Sequence, residues 1–263
     1  MEWKTVILRS EDGVATIVLN RPEQFNALDF QLGDDLIAAL EACIRDDTVR
    51  AVVLTGSGKA FCSGGDLKMA GEFAGDNPSE PYRQLTKRLN RIITEIRSLD
   101  KPVIAAINGA VGGAGLSIAA ACDLRIASSA ARFRQAYTNV GLVPDGGWML
   151  LVPLLIGLGR ASELLFLDPV FDAQKALEIG LVNRVVEPGE LAGSALEWAG
   201  KLAGGPSRSF AIIKNLLNNS LLTLLERQLE LERQGIIKAA GTGDYAEGLK
   251  AFFEKRAPQF TGR

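Results

Sequence analysis

Two glycine-rich stretches are the parts of this sequence whose residue types could do chemistry. One, at residues 109–115, follows an apolar run at 103–107, and the other, at 56–68, follows an apolar run at 51–55. Glycine-rich loops expose backbone N–H groups, and the first turn of a helix leaves its own N–H groups without intrahelical partners. Such groups can hold negative charge on oxygen, so chemistry that passes through an oxyanion could take place here.

The same glycines also have a purely structural explanation, because small residues let a helix start close to a sheet. On spacing alone the two interpretations stand equal, since a lone glycine-rich loop is a weak signal. A phosphate-binding P-loop ends in Gly-Lys-Ser or Gly-Lys-Thr, whereas Gly115 is followed by Leu116. A dinucleotide-binding loop follows the first strand of its domain, whereas this loop lies much later in the chain. A nucleotide-binding module is therefore the least favoured alternative.

The sequence contains no histidine. This absence removes Ser-His and Cys-His nucleophile pairs, and it removes the commonest metal ligand, so we expect no metal site. Acid–base work must then fall to carboxylates, tyrosine, lysine, cysteine or water.

Composition narrows the class of protein. The 263 residues are 47% hydrophobic and 23% charged, which is ordinary for a globular enzyme. The net charge of -2 and the lack of a basic tract argue against nucleic acid as a partner. The three cysteines, an odd number, are typical of reduced thiols. With no signal-like start and no long apolar run, we expect a cytoplasmic protein that does not bind a membrane.

Predicted strands and helices alternate along the chain, and these elements must position the glycine-rich loops. Residues 5–9 and 14–19 predict a hairpin, and apolar runs at 51–55 and 103–107 predict buried strands. Helical spacing of apolar residues follows the first hairpin and precedes the run at 103–107. Beyond residue 147 the pattern is largely helical. The prediction is an α/β protein whose glycine-rich loops follow buried strands, where sites are usually built.

Several motifs in this order resemble the crotonase (enoyl-CoA hydratase/isomerase) superfamily, and the similarity covers nearly the whole chain. The motifs are Asn20-Arg21-Pro22, Asn26-Ala27-Leu28, Phe61-Cys62-Ser63-Gly64-Gly65-Asp66-Leu67, Lys101-Pro102-Val103-Ile104-Ala105-Ala106-Ile107-Asn108-Gly109, Gly113-Ala114-Gly115, Cys122-Asp123, Gly141-Leu142-Val143-Pro144-Asp145-Gly146-Gly147, Ala176-Leu177-Glu178-Ile179-Gly180-Leu181-Val182 and Phe252-Phe253-Glu254-Lys255-Arg256. Several ordered motifs together are far more specific than any one of them.

The resemblance implies an α/β, crotonase-like spiral of ββα turns with a C-terminal helical trimerisation region. It places the spiral core with the acyl-CoA site at residues 1–200 and the helical region at residues 201–263. It further implies an acyl-CoA thioester substrate and a homotrimer or homohexamer. Coenzyme A is then part of the substrate, and no separate cofactor is expected.

By the same resemblance, the thioester oxygen is held by two backbone N–H groups, which fall on Gly65 and Ala114. These are predicted catalytic groups, and an enolate is the oxyanion that they would stabilise. Neighbouring motif positions are predicted to bind the substrate or its CoA part. They are Ala27, Ser63, Gly64, Asp66, Leu67, Lys68, Ser117, Tyr137 and Lys255.

Three of these positions have structural alternatives. Asp66 could simply hold its loop. Lys68 and Lys255 match family positions near the CoA phosphates or adenine, and Lys255 would act on the ligand of a neighbouring subunit. Isolated lysines are nevertheless more often just solvated.

The acid–base residues depart from the hydratase branch of the family. Where that branch uses two glutamates, this sequence has Ser117 and Tyr137, and neither can serve as a carboxylate base. Asp145 matches the position where isomerases of the family carry a proton-shuttling aspartate. Apolar neighbours could raise its pKa toward the working range. Read without the resemblance, Pro-Asp-Gly-Gly is equally a turn and Asp a helix cap.

The predicted function is an enoyl-CoA isomerase that shifts a double bond through an enolate, with Asp145 as the catalytic shuttle. Two alternatives stay open. One is a hydratase or another acyl-CoA hydratase or hydrolase, in which Asp145 acts with an ordered water. The other is a catalytically silent acyl-CoA-binding homologue. Ser117 could only cap the start of a helix or pack against its neighbours, and Tyr137 could only form part of the pocket wall.

Overall fold

A computed structural model describes residues 1–263, which form two sheets surrounded by helices. The strands are β1 (Val6–Glu11), β2 (Val14–Leu19), β3 (Ala51–Gly56), β4 (Ala60–Cys62), β5 (Val103–Ile107), β6 (Ala110–Gly112), β7 (Leu124–Ser128), β8 (Arg132–Arg134), β9 (Phe171–Asp172) and β10 (Arg184–Val186). The helices are α1 (Phe30–Arg45), α2 (Leu67–Phe73), α3 (Glu80–Ser98), α4 (Ala114–Ala121), α5 (Trp148–Ile156), α6 (Leu158–Leu167), α7 (Ala173–Glu178), α8 (Leu191–Ala203), α9 (Ser207–Asn219), α10 (Leu222–Ala240) and α11 (Gly243–Glu254).

The larger sheet has six strands in the order β1-β2-β3-β5-β7-β10. Apart from the antiparallel hairpin of β1 and β2, all neighbours are parallel. Every residue of β5 is buried, as its apolar sequence predicts. Ile104 and Ala106 pack toward α8, whereas Val103, Ala105 and Ile107 belong to the main core on the other face. The sheet is therefore covered on both sides.

The smaller sheet has four strands in the order β4-β6-β8-β9. The chain passes from β3 to β4, from β5 to β6 and from β7 to β8, each time from the larger sheet to the smaller one. Helices follow the first two of these pairs. This repetition is the spiral of ββα turns that the resemblance implies, and the α/β fold class is confirmed.

The C-terminal part of the chain is helical, as expected. Helix α8 packs on the larger sheet, and α10 packs against α3. The division at residue 200 remains a prediction. No helix of the protein has the length and apolar character required to cross a membrane.

Candidate active site

The loop after β4 presents the N–H of Gly65. Leu28 forms a parallel bridge with Gly65, in which the Leu28 N–H donates to the Gly64 carbonyl and the Leu28 carbonyl accepts from the Asp66 N–H. In this pattern Gly65 itself exchanges no hydrogen bond with Leu28. Its N–H has no acceptor in the protein, so it is available to a ligand.

The second N–H belongs to Ala114, which is the first residue of α4. The apolar, alanine-rich residues 116–122 indicate a buried helix, but α4 begins two residues earlier, after Gly113 at φ 49° and ψ -130°. The Gly113 N–H donates to the Gln135 carbonyl at 3.1 Å. The Ala114 N–H lies in the first turn, where helices leave their donors unpaired, and no acceptor in the protein meets it.

The two loops touch through their glycines. A Cβ atom built on Gly64 would lie 3.2 Å from the Gly112 carbonyl oxygen. One built on Gly113 would lie 3.2 Å from the Gly64 Cα and 4.0 Å from the Gly65 nitrogen. Both glycines also have positive φ, at 112° and 49°. A side chain at either position would strain the backbone and push apart the loops that carry the two donors.

A cavity of about 470 Å³ opens at this junction, and most of its wall is apolar. Ten of the twelve predicted site residues line it. They are Ala27, Ser63, Gly64, Gly65, Asp66, Leu67, Lys68, Ala114, Tyr137 and Asp145. The structure thus brings loops from four separate stretches of sequence to one chamber.

Asp145 is the carboxylate placed for chemistry in this chamber. It is only 5% exposed, and burial raises the pKa of its carboxyl to about 6, against a hydrogen bond from Tyr137 that lowers it. The Tyr137 hydroxyl donates to Oδ1 at 2.6 Å. Oδ2 makes no hydrogen bond within the protein and is open to the cavity. One oxygen is therefore anchored and the other is free to exchange a proton.

Asp66, the other acidic side chain of the cavity wall, is occupied elsewhere. Its Oδ1 accepts from the Met69 N–H at 3.0 Å and caps α2, while its Oδ2 lies 3.0 Å from the Arg21 guanidinium. These contacts fit the role of holding the loop. Lys68 stands on the rim with a side chain that is 77% exposed and 3.9 Å from Glu72.

Two predicted binding residues lie outside the chamber. Ser117 is fully buried, and its hydroxyl donates to the main-chain carbonyl of Asp145 at 2.7 Å. It therefore supports the Asp145 loop, and its contact with substrate stays a prediction. Lys255 lines a neighbouring depression together with Arg134 and Arg256 rather than the chamber itself.

Sequence reasoning missed several wall residues and one buried acid. Tyr82 lines the chamber on the α3 face that also carries Leu85 and Leu89. Glu232 of α10 is 3% exposed and accepts from the N–H groups of Gly147 and Met149, at 2.6 and 2.9 Å. Burial raises the pKa of the Glu232 carboxyl to about 7, opposed by these hydrogen bonds and by one from a glutamine one turn away. It caps α5 just after the Asp145 loop.

The donor set fits chemistry on an oxyanion rather than on a metal. No group of three or more cysteine, aspartate or glutamate side chains is arranged to share a metal ion. The two unpaired N–H groups and the single free carboxylate oxygen can together stabilise an enolate and carry its proton.

Comparison with known proteins identifies the family of the chain. A family model described as enoyl-CoA hydratase/isomerase matches residues 9–263. The 1,2-epoxyphenylacetyl-CoA isomerase of Escherichia coli is 37% identical over 262 residues, covering 98% of each chain. The trans-2-decenoyl-[acyl-carrier-protein] isomerase of Streptococcus mutans is 35% identical over the full length of both chains. A crystal structure of an enoyl-CoA hydratase from Mycobacterium avium subsp. paratuberculosis superimposes with a TM-score of 0.88 at 32% identity, covering 98% of each chain.

Proposed function

Because the chain belongs to the enoyl-CoA hydratase/isomerase family, a family of acyl-CoA enzymes, we propose that it is an isomerase that moves a double bond within an enoyl thioester. Relatives are named as isomerases and as hydratases, so the choice rests on the acid–base groups of the cavity. The chamber offers one free carboxylate, Asp145, because Asp66 is engaged in its own loop.

The observation that carries the proposal is the arrangement of Asp145. Its Oδ2 is open to the cavity, and its pKa of about 6 lets it hold and release a proton near neutral pH. The two positions where hydratases of the family carry glutamates are filled by Ser117, which is buried behind the loop, and by Tyr137, which donates to Asp145. A single carboxylate suffices for isomerisation because one group can remove a proton at one carbon and deliver a proton at another, with no net proton consumed.

The reaction follows from these groups. The thioester oxygen accepts hydrogen bonds from the N–H groups of Gly65 and Ala114. Asp145 takes a proton from the α-carbon of a β,γ-enoyl thioester, and the electrons of the broken C–H bond move into a dienolate whose negative charge lies on the thioester oxygen. The carboxyl of Asp145, whose proton can exchange with solvent, then delivers a proton to the γ-carbon, which gives the α,β-enoyl product. No water is consumed, and the carboxylate is regenerated.

Binding of the CoA part and self-association complete the proposal. Lys68 on the rim and Lys255 in the adjoining depression are the cations that would meet phosphates. Many large apolar side chains are exposed in the second half of the chain, and exposed apolar patches mark sites of contact between proteins. They include Leu154, Leu158, Phe166, Leu167, Val170, Ile212, Ile213, Leu216 and Leu217. We expect copies of the chain to cover them in a trimer or hexamer.

The test is to incubate the protein separately with a β,γ-enoyl-CoA and with crotonyl-CoA and to follow the absorbance of the conjugated thioester. An isomerase raises the absorbance with the first compound and leaves the second unchanged. Loss of the crotonyl-CoA signal would instead identify a hydratase. Tight binding of both compounds without turnover would identify a silent acyl-CoA-binding protein.

A further inference from the structure

Two buried tyrosines, one of which lines the chamber, take no part in the proposed reaction. Tyr82 of α3 and Tyr245 of α11 are 4% and 2% exposed. Their hydroxyl oxygens lie 2.7 Å apart, and their rings meet edge to face with centroids separated by 5.5 Å. Neither hydroxyl makes any other hydrogen bond within the protein.

The two hydroxyl groups carry one proton more than the hydrogen bond between them requires. Two hydroxyl groups carry two protons, and the single contact between their oxygens consumes only one of them. The second proton has no acceptor in the protein. A buried O–H group without a partner is costly, so a partner is expected from outside the chain.

The position of the two rings decides which proton is free. Tyr82 lines the chamber and Tyr245 does not. If Tyr82 donated to Tyr245, the spare proton would belong to Tyr245, away from the chamber and without any acceptor. If Tyr245 donates to Tyr82, the spare proton belongs to Tyr82, whose side chain lines the chamber. Only the second arrangement satisfies both hydroxyls when a ligand is bound.

The pair stays protonated and therefore stays a donor. Burial raises the pKa of Tyr82 above its usual range, and the nearby charges of Tyr245 and Asp145 act in the same direction. Burial also raises the pKa of Tyr245. Both hydroxyl groups therefore stay neutral, and the pair offers one O–H donor to a ligand.

We infer that the natural acyl group carries a hydrogen-bond-accepting oxygen, such as a carbonyl, ether or hydroxyl oxygen, that binds the free hydroxyl proton of Tyr82. This inference rests on the proposed function, because it assigns the chamber to an acyl-CoA. A purely alkyl group would expel water from the chamber and leave the Tyr82 proton without a partner. An oxygenated acyl group supplies that partner, so Tyr82 determines specificity.

Binding measurements test the inference without requiring turnover. Isothermal titration of the wild-type protein would compare octanoyl-CoA with a series of oxo-octanoyl-CoA isomers that carry the ketone at successive carbons beyond the β-carbon. We expect at least one isomer to bind roughly tenfold or more tightly than octanoyl-CoA. Equal affinity for octanoyl-CoA and every oxo isomer would overturn the inference.

Two variants test whether the Tyr82 hydroxyl causes the preference for an oxo-octanoyl-CoA over octanoyl-CoA. Tyr82→Phe removes the donor that an alkyl group would leave unpaired on binding, whereas the Tyr245 O–H loses its acceptor in the free and bound states alike. This variant should therefore bind octanoyl-CoA at least as tightly as the wild type and should lose the preference for the oxo isomer. Tyr245→Phe keeps the Tyr82 hydroxyl and should retain the preference. Persistence of the preference in Tyr82→Phe would contradict the assignment.

The binding preference and the isomerase activity can be tested separately. Isomerisation of a plain β,γ-enoyl-CoA together with no oxo preference would remove the inference and keep the isomerase. An oxo preference that depends on Tyr82 in a protein that does not isomerise would keep the inference about the chamber and remove the proposed reaction.

Discussion

The Tyr137 hydroxyl donates a 2.6 Å hydrogen bond to Oδ1 of Asp145 and leaves Oδ2 open to the cavity. Burial and this hydrogen bond act on the same pKa in opposite directions. Burial is the larger effect and raises the pKa of Asp145 to about 6, while the phenol stabilises the charged carboxylate and lowers it. The pair therefore orients the carboxylate and sets the pH range in which it can act as a base.

Removing the phenol hydroxyl should shift the pH dependence of the reaction. The base is active as the carboxylate, so kcat/KM of the wild type should rise with pH through about 6. Tyr137→Phe loses the donor that stabilises the charged form, so the pKa of Asp145 rises and the acidic limb moves to higher pH. On that limb the rate should fall roughly tenfold. A limb that stays in place or moves to lower pH would contradict the assigned hydrogen bond.

Replacing Ala114 by proline should remove one of the two oxyanion donors. Proline is tolerated at the first position of a helix, where Ala114 lies, but it has no N–H. Loss of one such donor should lower kcat by roughly 10²–10³. Ala114→Gly keeps the N–H and is the matched control, which should remain active. Equal losses in both variants, or a fully active proline variant, would exclude the Ala114 N–H as a donor.

Glu232 should make the stability of the protein depend on pH. Because burial raises its pKa from about 4.5 to about 7 in the folded state, its contribution is greatest below pH 4.5 and is lost as the pH rises through 7. The free energy of unfolding of the wild type should therefore fall more steeply over this range than that of Glu232→Gln, which cannot titrate. Denaturant titrations at a series of pH values measure the difference.

Glu230 on the same helix supplies the control for that experiment. Its hydrogen bonds, first of all from Arg233, lower its pKa to about 2, and it is exposed. Glu230→Gln should therefore leave the slope between pH 4.5 and pH 7 as in the wild type. If Glu232→Gln also keeps the wild-type slope, the Glu232 carboxyl does not titrate in this range.

Self-association should depend on the apolar side chains exposed on a single chain. Phe166 of α6 is 82% exposed. If copies of the chain cover it, Phe166→Glu buries a charge at the interface and should convert the oligomer to monomers of 28.1 kDa, measured by light scattering after size exclusion. Lys4→Glu, an exposed change near the N-terminus, should leave the oligomer intact. A wild-type protein that is already monomeric would refute the proposed association.

Local sequence signals predicted the framework of the site. The apolar run of β5 is buried on both faces, and the two glycine-rich stretches at residues 56–68 and 109–115 approach each other closely. The strands β6 and β8 went unnoticed, because three residues are too few for a periodic pattern. The early start of α4 depends on the φ of Gly113, which the sequence does not reveal.

Contacts between distant segments could not be predicted. The Tyr82–Tyr245 hydroxyl contact joins residues 163 positions apart, and Glu232 reaches Gly147 across 85 positions. Each of these side chains sits on a helix whose apolar pattern indicates only that one face is buried. Which polar groups meet there depends on how α10 and α11 pack against the core, and neither propensity nor spacing encodes that packing. The position of Ser117 behind the Asp145 loop belongs to the same class.

The proposed reaction requires Asp145 to carry a proton between two carbons of a thioester whose oxygen is held by Gly65 and Ala114. It is tested most directly by incubating a β,γ-enoyl-CoA with wild-type protein and with Asp145→Asn in deuterated water and measuring deuterium at the α- and γ-carbons. The wild type should incorporate deuterium during conversion, and Asp145→Asn, which is nearly isosteric but not basic, should neither convert nor exchange. Exchange that persists in Asp145→Asn would contradict the account.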